Sequence, residues 1–395
     1  MTLNSPQEEA RPSRKELGRA LLESCSMSSD WAPTFAAVDR ANFLPDLMWP
    51  FDMDTGESLP VDRVVDPDTW YAAADSNIPI VTQWDDGKHS GTQPGKVSTS
   101  SSSMPSVVYA LLQTLDVDKG MKALDVGTGT GETSGALFHR CGHGRVTTIE
   151  VDRAVSRHAR ERLCTVGLYP EVVVGDGFKG YRDNAPYDRI LATVALREIP
   201  GTWIEQTRPG GLIVAPWGTH FSHADAVARL AVSKGEASGH FTRPVEFMKL
   251  RSQRLARPKH DEYFAAGAME DAGTSTTAIP EGDFLTGKYT ALPFALGLRV
   301  RDCARAVADK RNDARPVWLY GLSDKSWACV MFRDGEKEAR VWQSGPRRLW
   351  DETEEAYWWW VEQGQPDHTR FGLTITQEGQ AAWLDDPSQL VQSQG

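Results

Sequence analysis

The sequence predicts an α/β protein with a doubly wound, mostly parallel sheet, a helical N-terminal cap and an additional α+β C-terminal domain. Two observations carry this. Leu124-Asp125-Val126-Gly127-Thr128-Gly129-Thr130-Gly131 reads as a buried strand, a glycine-rich turn and the start of a helix. Ile149-Glu150-Val151-Asp152, about twenty residues on, reads as the next strand, ending in a carboxylate. Short apolar runs alternating with helical periods then continue to about residue 256.

The glycine turn points to a nucleoside. Glycines let the backbone approach a ligand closely, the following helix offers free N–H groups, and a carboxylate at the next strand tip can accept both hydroxyls of a ribose. This βαβ unit is Rossmann-like. A dinucleotide site has the spacing G-x-G-x-x-G, with a pyrophosphate on the helix N-terminus. Here the spacing is D-x-G-x-G-x-G, and Asp125 would repel a pyrophosphate but suit an amino group. The expected cofactor is therefore S-adenosyl-L-methionine rather than NAD. A third acid, in Gly175-Asp176-Gly177, follows Val172-Val173-Val174 and is placed to meet the adenine amino group. Asp125, Gly127, Thr128, Gly129, Gly131, Glu150, Asp176 and Gly177 form the expected cofactor site.

The elements follow in order. Residues 1–117 are read as an N-terminal cap: a polar tail, a helix through Leu17, Leu21 and Leu22, a second helical stretch at Ala36-Ala37-Val38, a loop-rich segment with a strand at 78–81, and a serine run, 98–103. After Pro105 a helix presents Val107, Val108, Leu111, Leu112 and Leu115 on one face, with proline favourable at its start. Residues 118–256 form the cofactor-binding core, with strands expected at 122–126, 145–150, 171–174, 189–192 and 212–216, a helix at 155–166, and a late antiparallel strand at 245–250. Residues 257–280 are read as a linker. Residues 281–395 form the C-terminal domain, with strands near 317–320, 326–332 and 339–342, a helix over 346–363 stopped by Gly364, and a hairpin at 371–376 and 382–384. This domain is rich in tryptophan. Core filling accounts for such rings in general, but Trp358, Trp359 and Trp360 lie 100° apart on one helix and cannot all face inward. At least one is expected on the surface or against a partner.

Composition narrows the function. The 395 residues carry a net charge of −11 without a long basic run, which disfavours a nucleic-acid partner. No apolar run of about eighteen residues exists, so no membrane span is expected. Five cysteines without paired spacing suit reduced thiols and a cytoplasmic location. His139 and His143, separated by Arg140-Cys141-Gly142, do not make a helical metal face, and no metal is expected. Oligomeric state is not readable.

The order of the pieces resembles the protein L-isoaspartyl O-methyltransferase family. The matching residues are Asn42-Phe43-Leu44-Pro45, Ser103-Met104-Pro105, the Asp125 to Gly131 loop, Glu150, Gly175-Asp176-Gly177, Ala185-Pro186-Tyr187-Asp188-Arg189-Ile190, Pro209-Gly210-Gly211 and Phe247-Met248-Lys249-Leu250-Arg251. The resemblance covers residues 30–256. It implies a class I methyltransferase fold, a carboxyl acceptor, and Ser103 as the catalytic hydroxyl that orients that acceptor. Thr193, after the fourth strand, and His89, in Asp85-Asp86-Gly87-Lys88-His89, are weaker candidates for contacting substrate. The chain departs from the family pattern in its serine tract, in Ser106 after Pro105, and in the strip Ala192-Thr193-Val194-Ala195-Leu196-Arg197. A repair enzyme of this type would end near residue 230–256. The tryptophan-rich extension looks like that of methyltransferases found with ribosomal-peptide clusters, of the graspetide and lanthipeptide kinds. In that group the resemblance implies methylation of an aspartate side chain in a cyclised precursor peptide, giving a succinimide or isoaspartate. The alternative it implies is general protein-L-isoaspartate repair.

Overall fold

The structure is a computed structural model. It describes residues 11–256, 258–264, 267–287 and 289–391. The chain divides into two compact units, residues 1–193 with 202–214, and residues 194–201 with 215–395.

The first unit opens with α1 (Pro12–Glu23) and α2 (Ala32–Ala37). Leu17 and Leu21 of α1 are buried, whereas Leu22 is exposed, as a helical stripe of limited width requires. Then come β1 (Leu47–Pro50), β2 (Val61–Asp62), α3 (Pro67–Ala74), β3 (Ile80–Trp84) and β4 (Ser98–Ser102). These four strands form a small antiparallel sheet in the order β2-β1-β3-β4. The serine tract is thus a strand, paired with β3 through Val81↔Ser101 and Ile80↔Ser102.

After α4 (Pro105–Leu115) the sheet-and-helix alternation begins: β5 (Ala123–Val126), α5 (Glu132–Cys141), β6 (Val146–Glu150), α6 (Arg153–Thr165), β7 (Glu171–Val174), β8 (Tyr187–Ala192), α7 (Gly201–Gln206) and β9 (Thr207–Trp217). The strands lie in the order β9-β8-β5-β6-β7, and all these pairs are parallel. β5 has β6 on one side and β8 on the other. Successive connections therefore leave β5 in opposite directions, and a crevice opens at its C-terminal end. The glycine turn sits there. All four residues of β5 are buried, as expected for a strand covered on both faces.

In the second unit, β10 (Asp225–Ser233) and β11 (Glu236–Val245) form a hairpin turning at Lys234-Gly235, both with positive φ, the conformation of a primed two-residue turn. After α8 (His260–Tyr263) come β12 (Gly273–Thr277), α9 (Glu281–Phe284), α10 (Leu292–Arg299), β13 (Cys303–Val307), β14 (Ala314–Gly321), β15 (Trp327–Arg333), β16 (Ala339–Ser344), α11 (Leu349–Glu362), β17 (Phe371–Thr376) and β18 (Gly379–Leu384). β17 pairs with β11, and β18 with β17. β12-β16-β15-β14-β13 make a five-stranded antiparallel sheet whose core includes Phe284, Leu296, Val330, Val341 and Trp350.

Three sequence expectations change here. Residues 273–277, inside the expected linker, form β12, because Gly273 to Thr277 pair residue by residue with β16. The boundary expected near 256 gives way to one inside β9: β10 and β11 share a sheet with the C-terminal hairpin β17–β18 and group with it. The strand expected at 245–250 is reduced to one parallel bridge, Ala195↔Lys249, while the Lys249 ammonium turns to the buried carboxylate of Asp225.

Trp358 is exposed as its helical phase requires, while Trp350 is fully buried. Trp383 lies across the strand from Gly372, with its indole N–H donating to Thr374 Oγ1 at 3.0 Å. A Cβ on Gly372 would come within 2.1 Å of that ring. Gly372→Ala must therefore displace the indole, and a loss of about 1–3 kcal/mol, the range for overpacking, is expected in urea unfolding.

Candidate functional site

The turn after β5 is built on left-handed glycines: Gly127, Gly129 and Gly131 have φ of +100°, +52° and +97°. Beneath it Asp125 is fully buried. Its Oδ2 accepts from Ser134 Oγ of α5 at 2.6 Å and from Thr148 Oγ1 of β6 at 2.9 Å. Its Oδ1 is buried without a partner. Burial pushes the Asp125 carboxyl up to about 6, against the pull of the two hydroxyls. Thr128, also buried, bonds Thr148 Oγ1 at 2.7 Å. Asp125 and Thr128 therefore fix the turn from below, a different placement from the open ligand contacts expected of them.

Glu150 ends β6 and is only partly buried. One carboxylate oxygen accepts from the Gly129 N–H at 3.1 Å and the other from the Asp152 N–H at 3.0 Å, so the acid and the glycine turn are held together. Asp176 caps a short turn, Gly177–Lys179, by accepting from the Phe178 N–H at 3.0 Å. The buried Gly177 accepts the Trp203 indole N–H through its carbonyl at 2.9 Å.

The serine strand meets this turn directly. A Cβ on Gly129 would lie 3.4 Å from the Ser101 carbonyl oxygen, ordinary contact distance, so the strand and the turn touch, while the φ of +52° is what favours glycine there. Ser102 Oγ accepts from Arg40 Nε at 2.8 Å and donates to Glu132 Oε2 at 2.9 Å. Arg40 is buried. Its remaining N–H groups go to the carbonyls of Ser76, Ile78, Ser102 and Ser103, at 3.0–3.2 Å. Glu132, the first residue of α5, lies 3.7 Å from the guanidinium. Burial raises the Glu132 carboxyl above its usual range, with Arg40 and Ser102 opposing. Ser103 is partly exposed and its backbone carbonyl is clamped by Arg40, while its hydroxyl has no hydrogen-bond partner among the described residues. Pro105 opens α4 at the position where no N–H is needed.

The remaining candidates fall elsewhere. Thr193 donates its hydroxyl to the Gly127 carbonyl at 2.8 Å; it braces the turn, and that donor is spent. His89 is tied into its own loop, with Nε2 at 2.6 Å from the Gln93 carbonyl and its ring edge against Trp49. Arg40 and Glu132 were missed from the sequence. The available signal was an acid directly after the last glycine, where a helix N-terminus favours one; the mixed run Val38-Asp39-Arg40-Ala41-Asn42-Phe43 gave none for Arg40. Among the described residues no group of three or more side chains could hold a metal ion, and no helix is long and apolar enough to cross a membrane.

A doubly wound sheet with a glycine turn and a strand-end acid at its switch point defines a class I methyltransferase fold. The family model for protein-L-isoaspartate(D-aspartate) O-methyltransferase matches residues 84–255. Protein-L-isoaspartate O-methyltransferase 2 of Archaeoglobus fulgidus is 36% identical over 157 residues, which is 38% of this chain and 69% of that protein. The protein of the same name in Polaromonas is 36% identical over 153 residues, 38% of this chain and 72% of that one. The Methanococcus maripaludis enzyme is 39% identical over 117 residues, and the chain spans about half the length of the Methanococcus relatives it matches. A solved protein-L-isoaspartate O-methyltransferase superposes with a TM-score of 0.53 at 18% identity, covering 94% of this chain and 100% of that one. This chain belongs to the protein-L-isoaspartate O-methyltransferase family, whose members are S-adenosylmethionine-dependent carboxyl methyltransferases.

Two outcomes follow. Arg40→Met leaves Glu132 as an unpaired buried carboxylate and should cost about 3–5 kcal/mol in chemical denaturation. Adding Glu132→Gln should restore part of that loss, giving a non-additive double-mutant cycle. For Asp125 the folded carboxyl, near 6, lies above its unfolded value of 3.8. Between those values the folded state holds a proton that the unfolded state has lost. Stability therefore falls as pH rises from about 4 to about 6, by about 3 kcal/mol for this group. Asp125→Asn should flatten that segment of the stability–pH curve, measured by urea unfolding across pH 4–7.

Proposed function

We propose that this chain is an S-adenosylmethionine-dependent methyltransferase acting on a peptide carboxylate, and that its acceptor is an aspartate side chain in a ribosomally made, cyclised precursor peptide. The observation that carries the chemistry is Ser103: a free hydroxyl, on a backbone clamped by a buried arginine, in a segment packed against the glycine turn. The extra peptide-docking role rests on the resemblance of the tryptophan-rich extension.

The residues fit the cofactor. Gly127 to Gly131 leave backbone room, Glu150 would take the ribose hydroxyls, Asp176 and Gly177 would take the adenine edge, and the unpartnered Oδ1 of Asp125 places negative charge beneath the turn for a cationic ligand. When bound, the cofactor supplies an electrophilic methyl group. The chain's own work is positioning. An aspartate acceptor is already ionised at neutral pH, with an ordinary pKa near 3.9, so no general base is required. Alignment and exclusion of water then carry the rate. The Ser103 hydroxyl donates to one acceptor oxygen and leaves the other free to attack. Glu132 balances the Arg40 charge, so that the clamp does not draw the acceptor carboxylate into an ion pair. Once the aspartate is esterified, the next backbone nitrogen attacks the ester carbonyl, methanol leaves, and a succinimide forms.

Protein repair, with the α-carboxylate of an isoaspartyl residue as acceptor, is the second reading. It is favoured by the names of the relatives. It also gains from the solved family structure aligned over 94% of this chain, because a C-terminal extension then does not by itself separate the two readings. A panel of short, unrelated isoaspartyl peptides discriminates. Peptide tailoring expects little methylation across the panel but gain of a methyl and then loss of methanol on a cyclised precursor; efficient methylation of the whole panel would overturn it in favour of repair. Ser103→Ala should lower kcat by about 10–100-fold, the loss of one oriented hydrogen bond, and leave S-adenosylhomocysteine affinity within about twofold. Equal loss of both would remove Ser103 from the acceptor site.

A further inference from the structure

The second unit contains a cleft of about 290 Å³, whose lining includes Ser222, Thr286, Tyr289, Pro293, Arg305 and Val307. Arg305 is its unusual member. None of its guanidinium nitrogens has a hydrogen-bond partner, and no carboxylate forms an ion pair with it among the described residues. Nη1 is enclosed, and the group lies 5.5 Å and 5.8 Å from the ring centres of Phe221 and Phe284. Aromatic faces offset part of the cost of burying a cation but leave the enclosed Nη1 donors unmet. Burial lowers the guanidinium to about 10, which marks how poorly the site solvates it.

The acids of the lining leave Arg305 unpaired. Asp225 lines the cleft but is already held by Arg197, at 2.7 Å, and by Lys249. Glu246 is the other acid of the lining. Neither acid forms an ion pair with Arg305 among the described residues. The walls combine apolar Tyr289, Pro293 and Val307 with the hydroxyls of Ser222 and Thr286, the mixture of body contacts and a few polar groups that suits a small organic ligand.

We infer that this cleft is a recognition site for a carboxylate carried on an apolar body, and that its ligand is an acidic residue of a peptide bound by Arg305. The peptide identity of the ligand rests on the function proposed above; the carboxylate chemistry does not. A planar guanidinium with free donors matches a carboxylate in two parallel hydrogen bonds, and a desolvated, aromatic-backed setting strengthens them.

Calorimetric titration of the full chain tests this with three probes. These are N-acetyl-aspartyl-phenylalanine amide, its asparaginyl counterpart, and N-acetyl-glycyl-phenylalanine with a free C-terminal carboxylate. The aspartyl probe should bind, and the asparaginyl probe at least about tenfold more weakly, as loss of a charged hydrogen bond predicts. Tighter binding of the free-acid probe than of the aspartyl amide would overturn the assignment to a side chain. In Arg305→Gln the aspartyl probe should weaken at least about tenfold, with Arg305→Lys intermediate. The asparaginyl comparison in the unmodified chain stands even if a variant fails to fold. Equal binding of the acid and amide probes, or no binding at millimolar concentration, overturns the inference. S-adenosylhomocysteine binding, measured alongside, reports separately on the methyltransferase reading.

Discussion

The first unit depends on how one buried guanidinium is satisfied. Arg40 has five N–H groups in a rigid fork: Nε meets the Ser102 hydroxyl, Nη1 the Ser76 carbonyl, and Nη2 lies within reach of the carbonyls of Ile78, Ser102 and Ser103. These acceptors come from three segments: the end of the third helix, the approach to β3, and the serine strand. An ammonium has only three donors on a flexible stem and could not span them. The charge itself is met by Glu132, and Ser102 stands between the two. Because Ser102 accepts from Arg40, its proton is free for Glu132. The hydroxyl is thereby oriented, and the serine strand is joined to the first turn of α5. That helix begins where the glycine turn ends, so the serine strand and the glycine turn share one electrostatic anchor.

A second chain of hydrogen bonds runs beneath the turn, and its direction can be worked out. Thr148 donates to Asp125, so in its contact with Thr128 it must accept, and Thr128 donates. Ser134 donates to the same carboxylate oxygen. Three hydroxyls from the turn, β6 and α5 thus converge on one buried acid. Such a chain polarises cooperatively, which helps a carboxylate remain where solvent cannot reach it. Burial outweighs that help, so Asp125 holds its proton more firmly than an exposed aspartate, and its second oxygen stays unpartnered.

These two networks also mark how far the sequence could be read. The parallel core was legible because its signals are local: apolar runs, glycines at fixed spacing, and acids at strand ends. Glu150 ends β6 and bonds the turn at Gly129, and Asp176 follows β7. The fates of Asp125, Thr128 and Thr193 were not legible, because motif spacing says where a side chain is attached and nothing about which neighbour consumes its polar atoms. Ser98 to Ser102 form a strand although serine has little strand preference of its own; pairing with β3 decides the matter. Arg40 lies 62 residues from the serine strand it holds, a distance no periodicity spans. In the second unit the hairpin of β10 and β11 was missed although Lys234-Gly235 sits between alternating runs, and β12 was hidden because Gly273 to Thr277 offers no apolar residue to alternate.

The second unit shows why charge says more than tryptophan content. Trp350 fills a core, Trp318 and Trp327 pack with His260 and Phe264, and Trp383 covers a glycine. Packing within the unit accounts for these rings without a partner. Arg305 is different, because the chain has acids to spare, 54 against 43 lysines and arginines, and none of the described ones pairs with this guanidinium. Elsewhere arginines of the same unit do find acids: Arg347 pairs with Glu352, Arg299 with Glu355 and Arg370 with Asp385. A desolvated cation without one lowers the stability of the folded chain, so a ligand carboxylate would relieve a cost already present. Binding there draws on strain relief as well as new contact, which favours an acid over its amide by more than a surface arginine could achieve.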